Sequence, residues 1–446
     1  MLMPMLNRGL LGLSGLAAAM VLLAGCSGGK AEQSPAAADP GGAAEKKNAE
    51  PVELVFHTNS GGAVEGFNKT FGDRISAKFP DYKISYVQSK QGSTLAELMA
   101  QGKQVDILYQ TDAYYFELAD SAKLQYDMTE LVKKRGINLN AIEPQVLESL
   151  RQSGGGKLYA LPISNLTQVM YYNKGIFDKF GVPYPKDGMT WDETLELAKK
   201  LDREEQGQQY FGFAASPAHI LGNNQLSIPY VDVQTEKPTF LNDGWRRLID
   251  TYIVRPAQGQ GYQKYIAEKK RLPYRLEFTD TPQIAMFVFN SNFPFSIPNI
   301  DAIDWDLVSL PTFADKPKIG SQSMPVVFGI TSTSKQKDAA MEVIQFLVSE
   351  ETQISESKKG IMPVSTTDAA RKAFAQDTPF KNKNWNALYY NQIAPGVPKS
   401  NYQLTVEKSF TSFVQQIVEG KKDVNTALRE AQEQAEKIIA DAKQKK

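Results

Sequence analysis

Few residue types in this chain of 446 residues could carry catalysis or bind a metal. The sequence holds two histidines, His57 and His219, and one cysteine, Cys26. One cysteine cannot form a disulfide within the chain or a cysteine-rich zinc site, and two histidines leave little material for imidazole chemistry. We therefore expect no metal ion or other cofactor, and polar loop side chains become the candidates for function.

Two Ser-x-x-Lys tetrapeptides match the spacing of the nucleophile and lysine in penicillin-recognising enzymes. They are Ser332–Lys335 and Ser355–Lys358, and no Ser-Asp-Asn or Lys-Thr-Gly accompanies them. The carboxylates of Asp301, Asp304 and Asp306 lack the spacing and the glycine of a calcium loop. The sequence therefore predicts no enzyme, although any two acids can meet in space and a secreted lipoprotein glycosidase stays an alternative.

The single cysteine follows an apolar N-terminal segment. Arg8 is the only charged residue before Lys30, and Leu16 to Ala24 is an unbroken apolar run. The run ends in Leu23-Ala24-Gly25-Cys26, which resembles a bacterial lipobox, where a peptidase cuts before the cysteine and the sulfur receives a diacylglycerol. This resemblance implies a signal peptide over 1–25 and a palmitate-bearing lipid anchor at Cys26. A plain secretory signal and an uncleaved anchor are the alternatives.

Composition after Cys26 predicts a tether and then a globular body. Residues 26–50 contain no aromatic or β-branched residue, so they cannot bury enough apolar surface to offset their ordering entropy. Over the whole chain 50 Lys and Arg balance 50 Asp and Glu, and the two signs are interspersed. This balance argues against nucleic acid as a partner, because nucleic-acid binders usually gather basic residues on one face.

Alternating strands and helices must position the polar loops. Residues 52–57, 83–87 and 105–109 have strand patterns, and helical patterns separate them. This βαβαβ order predicts an α/β fold in which ligands bind beyond the carboxyl ends of the strands. The loops at 58–62 and 110–115 are therefore the first places to expect a ligand.

Later segments repeat the mixture of strands and helices. Thr190 and Glu193 have capping-box spacing at the start of an amphipathic helix. Residues 305–311 are predicted as a strand that ends at a proline, and residues 339–348 as a helix with one apolar face.

Motifs along nearly all of residues 52–438 resemble one family in the family's own order. The matching stretches are Val105-Asp-Ile-Leu-Tyr109, Leu161-Pro162, Tyr172-Asn173-Lys174-Gly-Ile-Phe177, Thr190-Trp191-Asp192-Glu193, Ala285-Met286 before Asn290, Leu310-Pro311, Gly329-Ile330 with Ser332 to Ser334, Ala339 to Glu351, and Val424 to Ile438. The sequence resembles the extracellular solute-binding proteins of carbohydrate ABC importers, family 1, the maltose-binding type. Each motif alone is weak, and their ordered recurrence carries the resemblance.

The resemblance implies a two-lobe periplasmic-binding-protein type II fold that closes over a ligand like a hinged trap. Chain crossings are expected near 163–168, 321–328 and 368–374, so each lobe is discontinuous in sequence. The implied N-terminal lobe comprises 51–163 and 327–368, and the implied C-terminal lobe comprises 168–322 and 374–446.

Sugar recognition needs planar polar groups for hydroxyls and aromatic faces for ring C–H surfaces. With the lobes implied by the resemblance, the loops expected to reach the ligand supply both kinds of group. The expected ligand-binding residues are Asn59, Ser60, Gln110, Asp112, Tyr114, Asn165, His219, Asn290, Asn292, Phe293 and Tyr402.

Structural roles compete with these assignments. Asn59 and Ser60 could satisfy a turn, Asp112 could cap a helix, and Tyr114 and Phe293 could pack in a core. The tryptophans at 191, 245 and 305 are expected to pack rather than to contact ligand. Relatives often carry a Trp after Ala-Met where this chain has Asn292-Phe293, so the stacking residue and the sugar stay open.

The resemblance implies a lipid-anchored, extracytoplasmic substrate-binding protein of an ABC importer. It would capture a sugar or oligosaccharide and deliver it to the transmembrane permease subunits, acting as a monomer. A polyol, a polyamine or a phosphorylated compound is the alternative ligand.

Overall fold

The computed structural model describes residues 51–59 and 61–444, which form one compact unit. The predicted signal peptide, Cys26, the tether and Ser60 lie outside the described residues. The strands of the described part are β1 (Val52–Thr58), β2 (Tyr82–Gln88), β3 (Ile107–Thr111), β4 (Leu161–Ser164), β5 (Gln168–Asn173), β6 (Arg203–Glu205), β7 (Gln208–Ala215), β8 (Val231–Asp232), β9 (Lys237–Pro238), β10 (Ile284–Asn290), β11 (Trp305–Ser309) and β12 (Val326–Ile330).

Helices surround these strands. They are α1 (Val64–Phe67), α2 (Asp73–Lys78), α3 (Leu95–Ala100), α4 (Asp112–Ser121), α5 (Thr129–Lys134), α6 (Pro144–Ser153), α7 (Lys174–Phe180), α8 (Trp191–Lys199), α9 (Pro217–Gly222), α10 (Asp243–Ile249), α11 (Gln260–Lys269), α12 (Arg275–Thr279), α13 (Phe293–Ser296), α14 (Lys337–Val348), α15 (Glu350–Lys358), α16 (Asp368–Lys372), α17 (Gln403–Val418) and α18 (Val424–Gln444). Among the described residues, no helix is both long enough and apolar enough to cross a membrane.

The first sheet has the strand order β2-β1-β3-β12-β4. Strands β1, β2 and β3 are parallel, as the alternation of strands and helices predicts, and β12 runs antiparallel to both β3 and β4. Strand β12 arrives long after β4 in the sequence, because the strands of another sheet lie between them. We call the part of the chain around this sheet the first lobe.

The second sheet has the order β11-β5-β10-β7-β6. Strands β10 and β7 are parallel, whereas β5 is antiparallel to β10 and β11. Its core contains the helices that end the chain, since Phe410 of α17 and Leu428 of α18 pack in the same buried cluster as the strands. We call this part the second lobe. The two α/β lobes, discontinuous in sequence, confirm the predicted fold class.

Local signals explain several helix starts. The Thr190 hydroxyl accepts a hydrogen bond from the Glu193 backbone N–H at 3.2 Å, and the Glu193 carboxylate accepts one from the Thr190 N–H at 2.7 Å. This is the predicted capping box, and it satisfies two N–H groups that the helix geometry leaves without partners. Thr94 and Glu97 form a second capping box at α3.

Short crossings join the lobes and pack side by side. Three residues separate β4 from β5, and the Met324 N–H of a second crossing donates to the Leu166 carbonyl oxygen at 2.9 Å. The Gln168 N–H donates to Ser321 Oγ at 3.0 Å. These contacts hold the carboxyl end of β4 close to the start of β5, so these ends of the two sheets face each other. The predicted boundaries of the lobes stay a prediction.

Candidate functional site

The end of β3 and the start of α4 bring polar side chains to the carboxyl end of the first sheet; the loop predicted at 110–115 is wrong, because α4 begins directly after β3. Gln110 is fully buried, and the hydroxyl of Thr58 at the end of β1 lies 3.4 Å from its Oε1. Asp112 is only 3% exposed, and its backbone N–H donates to the Pro325 carbonyl oxygen of a crossing at 3.1 Å. Burial raises the pKa of Asp112, while Lys399 acts in the opposite direction.

The second lobe presents a small polar network at the facing edge. Ser216 follows β7, and its Oγ lies 2.6 Å from His219 Nδ1 and 3.2 Å from the Tyr274 hydroxyl. The His219 ring packs 4.8 Å from the ring of Phe289 in β10. Burial lowers the pKa of His219, so the neutral imidazole is favoured and can both donate and accept a hydrogen bond.

A segment near the C-terminus adds charge between the lobes. Lys399 is 7% exposed and interacts electrostatically with Asp112 of the first lobe and Glu407 of α17. The pKa of Glu407 is raised to about 7, mainly by burial. Lys399 lowers this pKa and Asp112 raises it. A Cβ atom on Gly222, at the end of the helix that carries His219, would lie 3.8 Å from Glu407 Oε1.

We call the region between Asp112, His219 and Glu407, where these groups of the two lobes approach one another, the interlobe gap. We call Asp112, Lys399 and Glu407 the charged trio. With both carboxylates ionised the trio carries one net negative charge, and with Glu407 protonated it is neutral. Lys399 and Glu407 are not among the residues predicted from the sequence, because they lie nearly 290 residues or more after Asp112 along the chain.

Two buried glutamines, Gln168 next to the first crossing and Gln403 at the start of α17, are not among the residues predicted from the sequence. Gln168 is the first residue of β5, and neither its Oε1 nor its Nε2 has a hydrogen-bond partner among the described residues. Oε1 of Gln403 is also buried and has no hydrogen-bond partner among them. Buried polar atoms are nearly always hydrogen-bonded in folded proteins, so the unpaired amide atoms of these two residues call for an explanation. Neither residue belongs to a motif that could have identified it.

The other predicted ligand residues are spread more widely. Asn59 is exposed at the end of β1, and Tyr114 is 40% exposed on α4 while the adjacent Tyr115 is buried. Asn290 is buried at the end of β10, where its carbonyl oxygen accepts a hydrogen bond from the Tyr171 hydroxyl at 2.9 Å. Asn292 is half-buried immediately before α13. Glu407 therefore interacts with Asp112 and lies next to the helix that carries His219, and Asn290 and Asn292 lie at the end of β10 and directly after it.

Phe293, Tyr402 and Asn165 have other neighbours. Phe293 is 0% exposed, and its ring lies 5.4 Å from that of Tyr171 and 5.1 Å from that of Phe289 in the second-lobe core. Tyr402 is buried in the same core cluster, at the start of α17. Asn165 is buried at the first crossing, and its Oδ1 accepts hydrogen bonds from the Leu166 N–H at 2.8 Å and from Ser323 Oγ.

The tryptophans at 191, 245 and 305 are buried in the second-lobe core, as the sequence predicts.

Within residues 51–59 and 61–444, no group of three or more His, Cys, Asp or Glu side chains could hold a metal ion. The gap offers neutral amides, an imidazole, hydroxyls and one ammonium group with two carboxylates. Such a set can donate and accept hydrogen bonds to a polar solute, with little net charge to offer a strongly ionic one.

A model of one family matches most of the chain. The bacterial extracellular solute-binding protein family matches residues 60–354. Among curated proteins, the mannitol-binding protein of Pseudomonas aeruginosa is 29% identical over 123 residues, which cover 26% of this chain and 27% of that protein. The sn-glycerol-3-phosphate-binding periplasmic protein of Escherichia coli is 26% identical over 140 residues, covering 30% and 31% respectively. The matched regions thus span less than a third of each curated relative.

Solved structures share the whole fold at low sequence identity. An ABC substrate-binding protein from Listeria monocytogenes in complex with cycloalternan superposes with a TM-score of 0.66 at 16% identity, covering 88% of this chain and all of that one. An ABC transporter solute-binding protein from Agrobacterium vitis with bound D-mannitol superposes with a TM-score of 0.61 at 18% identity, covering 87% and 99%. At this identity the likeness establishes the two-lobe fold.

Proposed function

The chain belongs to the bacterial extracellular solute-binding protein family, and from that premise we propose that it captures an uncharged sugar or polyol in the interlobe gap for an ABC importer. Membership of this family makes the protein an extracytoplasmic solute-binding protein. The nature of the solute, its binding residues, the lipid anchor and the permease are part of the proposal.

The observation that carries the choice of solute is the charge of the gap. Lys399 is matched by Asp112 and Glu407, and the raised pKa of Glu407, about 7, lets one proton remove the excess negative charge near neutral pH. A phosphorylated solute would meet more negative than positive charge there, and burying an uncompensated charge is costly. A hydroxylated, uncharged solute can use the same groups as hydrogen-bond donors and acceptors.

The unpaired glutamine atoms support a polar solute as well. Gln168 and Gln403 hold buried amide atoms without partners among the described residues, and the imidazole of His219 can donate or accept. Asn59, Gln110, Asp112, Tyr114, Asn290 and Asn292 supply further polar groups on the surrounding segments. Ser60 is proposed with Asn59 from the sequence alone. Phe293 and Tyr402 would contribute through the packing of the second lobe.

Lobe closure follows from the same arrangement. The charged trio takes Asp112 from the first lobe and Glu407 from α17, which packs in the second lobe, so a solute between these two contacts both lobes. A solute that contacts both lobes binds the closed form better than the open form and shifts the population toward it. The closed form is then the one that the permease subunits recognise.

The remaining parts of the proposal concern attachment and partners. We propose that Cys26 carries the lipid anchor, that the protein works as a monomer without nucleic acid, and that it catalyses no reaction. A cationic solute such as a polyamine is the second candidate, favoured by the two carboxylates of the trio.

A thermal-shift screen of a soluble form that begins at Ser27 tests the proposal. The panel contains uncharged sugars and polyols, polyamines, and phosphorylated polyols. A sugar or polyol is expected to raise the melting temperature, because ligand that binds only the folded state stabilises it. If only polyamines did so the second candidate would replace the first, and if only phosphorylated compounds did so the charge argument would be wrong.

A further inference from the structure

A separate cavity lies on the other side of the crossings from the interlobe gap. Its volume is about 310 Å³, and its lining includes Asn165, next to β4, and Asn391, whose Nδ2 donates to the Leu310 carbonyl oxygen just after β11 at 2.8 Å. Strand β4 is one edge strand of the first sheet, and β11 is one edge strand of the second. Asp112 and His219 instead follow β3 and β7, on the opposite side of β12 and β5. We call this space the rear cavity.

Charged groups of the rear cavity are already paired with one another. Arg371 Nη2 donates to Glu143 Oε2 at 3.1 Å, and the guanidinium lies 5.5 Å from the centre of the Tyr389 ring. Glu143 precedes α6 in the first lobe, whereas Tyr389 lies in a helical turn that packs on β11 of the second lobe. The pairing therefore links the lobes behind the hinge and leaves no net charge from Arg371 and Glu143 in the cavity.

Two residues that line the same cavity each have one buried, uncharged polar atom without a partner among the described residues. The hydroxyl of Tyr389 and Oδ1 of Asn391 are both buried, and neither has a hydrogen-bond partner among the described residues. Both residues line the cavity, as does Gln145 of α6. One hydroxyl that can donate and accept, one carbonyl oxygen that accepts and nearby amides together match the pattern of alcohol groups on a small solute.

We propose that the rear cavity is a second binding site, for a compact uncharged polyol of the size of ribitol or mannitol. Paired charges disfavour an ionic ligand, the unpaired hydroxyl and amide oxygen favour hydroxyl groups, and the volume lies at the lower end of the range for small-molecule sites. The site is separate from the interlobe gap, and the identity of the solute bound in the gap does not enter the argument.

Occupation of the rear cavity would be coupled to movement of the lobes. Its lining comes from both lobes, so rotation about the crossings changes the distance between Gln145 and Asn391. A polyol held there stabilises the arrangement in which its contacts are complete, and the affinity of the gap for its own solute changes in a reciprocal way.

Methyl NMR of methionine-labelled protein locates the binding. Met362 lines the rear cavity, and the exposed Met99 of α3 serves as a remote reference. Ribitol and mannitol are titrated separately into the wild type, into Gln145→Trp, which fills the cavity, and into Gln152→Trp, an exposed position on the same helix. We expect the Met362 signal to move in the wild type and in Gln152→Trp, and to stay unchanged in Gln145→Trp.

Tyr389→Phe keeps the test valid if Gln145→Trp does not fold. Removal of one hydroxyl partner is expected to weaken the polyol response of Met362 about fivefold. Tyr262→Phe is the control, at a buried tyrosine that packs against Phe211 in the second lobe. It should leave the polyol response of Met362 unchanged.

Asp112→Asn separates this inference from the proposed function. The response of Met362 should survive Asp112→Asn, because Asp112 belongs to the gap. A response lost in Asp112→Asn but kept in Gln145→Trp would assign the polyol to the gap, supporting the proposed function and contradicting the rear site. No response of Met362 to ribitol or mannitol in the wild type would contradict the rear site as well.

Discussion

The carboxylate of Asp112 interacts electrostatically with that of Glu407, and Lys399 interacts electrostatically with both. Asp112 begins a helix of the first lobe, and Glu407 lies in a helix that packs in the second. Their mutual repulsion contributes to the raised pKa of Glu407. The trio therefore links ligand binding, lobe geometry and protonation in one place.

Glu407 makes stability depend on pH in a defined window. Its pKa is raised from 4.5 to about 7, so between these values the folded state holds a proton that the unfolded state has lost. Stability from this group therefore falls as pH rises from about 4.5 to about 7, by roughly 3 kcal/mol. Glu407→Gln should remove this loss, which urea unfolding at pH 5 and pH 8 measures.

The prediction concerns the change in unfolding free energy between pH 5 and pH 8, compared between wild type and Glu407→Gln. His57 and His219 have lowered pKa values, so their contribution to stability changes in the opposite direction, rising as pH passes upward to 6.5. Both histidines are present in the two proteins and cancel in the difference. An equal pH dependence of wild type and variant would contradict the placement of Glu407 in the buried trio.

Asp112→Asn should weaken solute binding more than it weakens the fold. Asparagine keeps the shape of the side chain but removes the charge that interacts with Lys399, so a charge-assisted hydrogen bond from the solute to the carboxylate becomes a weaker neutral one. We expect a loss of affinity of roughly tenfold or more, since hydrogen bonds to charged groups contribute about 1.5–3 kcal/mol. Isothermal titration calorimetry with the solute selected in the screen measures it.

Asp368→Asn is the matched control for that substitution. Asp368 lies on α16 with its side chain 83% exposed, in an ion pair with Lys372 on the same helix. Exposed pairs of this kind contribute little, so affinity should be unchanged. Equal effects of the two substitutions would place Asp112 outside the binding site.

Phe293→Ala should act on stability. Its ring is fully buried among Tyr171, Phe278 and Phe287, and truncation leaves a cavity that the surrounding sheet cannot close. A decrease in the free energy of unfolding of about 3–5 kcal/mol is expected from urea unfolding. Leu241→Ala, at a side chain that is 67% exposed, is the control and should cost far less.

Gly212→Ala should also destabilise the second lobe. A Cβ on Gly212 of β7 would clash with the carbonyl oxygen of Ala198 in α8, so the helix would have to move away from the sheet. We expect a loss of stability on the order of 2 kcal/mol or more, measured by thermal unfolding. Gly66→Ala meets no atom within 4 Å and should be neutral or slightly stabilising in its helix. Similar melting temperatures for the two variants would argue against this close packing.

Local pattern explains which features could be predicted. The β-rich run at 52–57, the alternation at 83–87 and the Thr190–Glu193 capping box depend on neighbouring residues, and all three appear where expected. The third strand begins two residues later than predicted, at Ile107, because pairing with β12, more than 200 residues away, determines its ends.

The interlobe gap depended on tertiary placement and was harder to predict. Lys399 and Glu407 meet Asp112 only because the C-terminal segment returns to the first lobe, where the Lys399 N–H donates to Ser153 Oγ at 3.0 Å. Phe293 follows a strand that ends at the gap, yet its ring turns into the core, and no spacing in the sequence distinguishes these directions.

The binding of a neutral solute in the gap is tested most directly by calorimetric titration. Uncharged sugars and polyols are titrated into the wild type and into the double variant Asp112→Asn, Glu407→Gln. We predict one sugar or polyol that binds the wild type and binds the double variant at least about tenfold more weakly, with both proteins equally folded. Binding of that solute with the same affinity to both proteins, or binding by charged solutes alone, would contradict it.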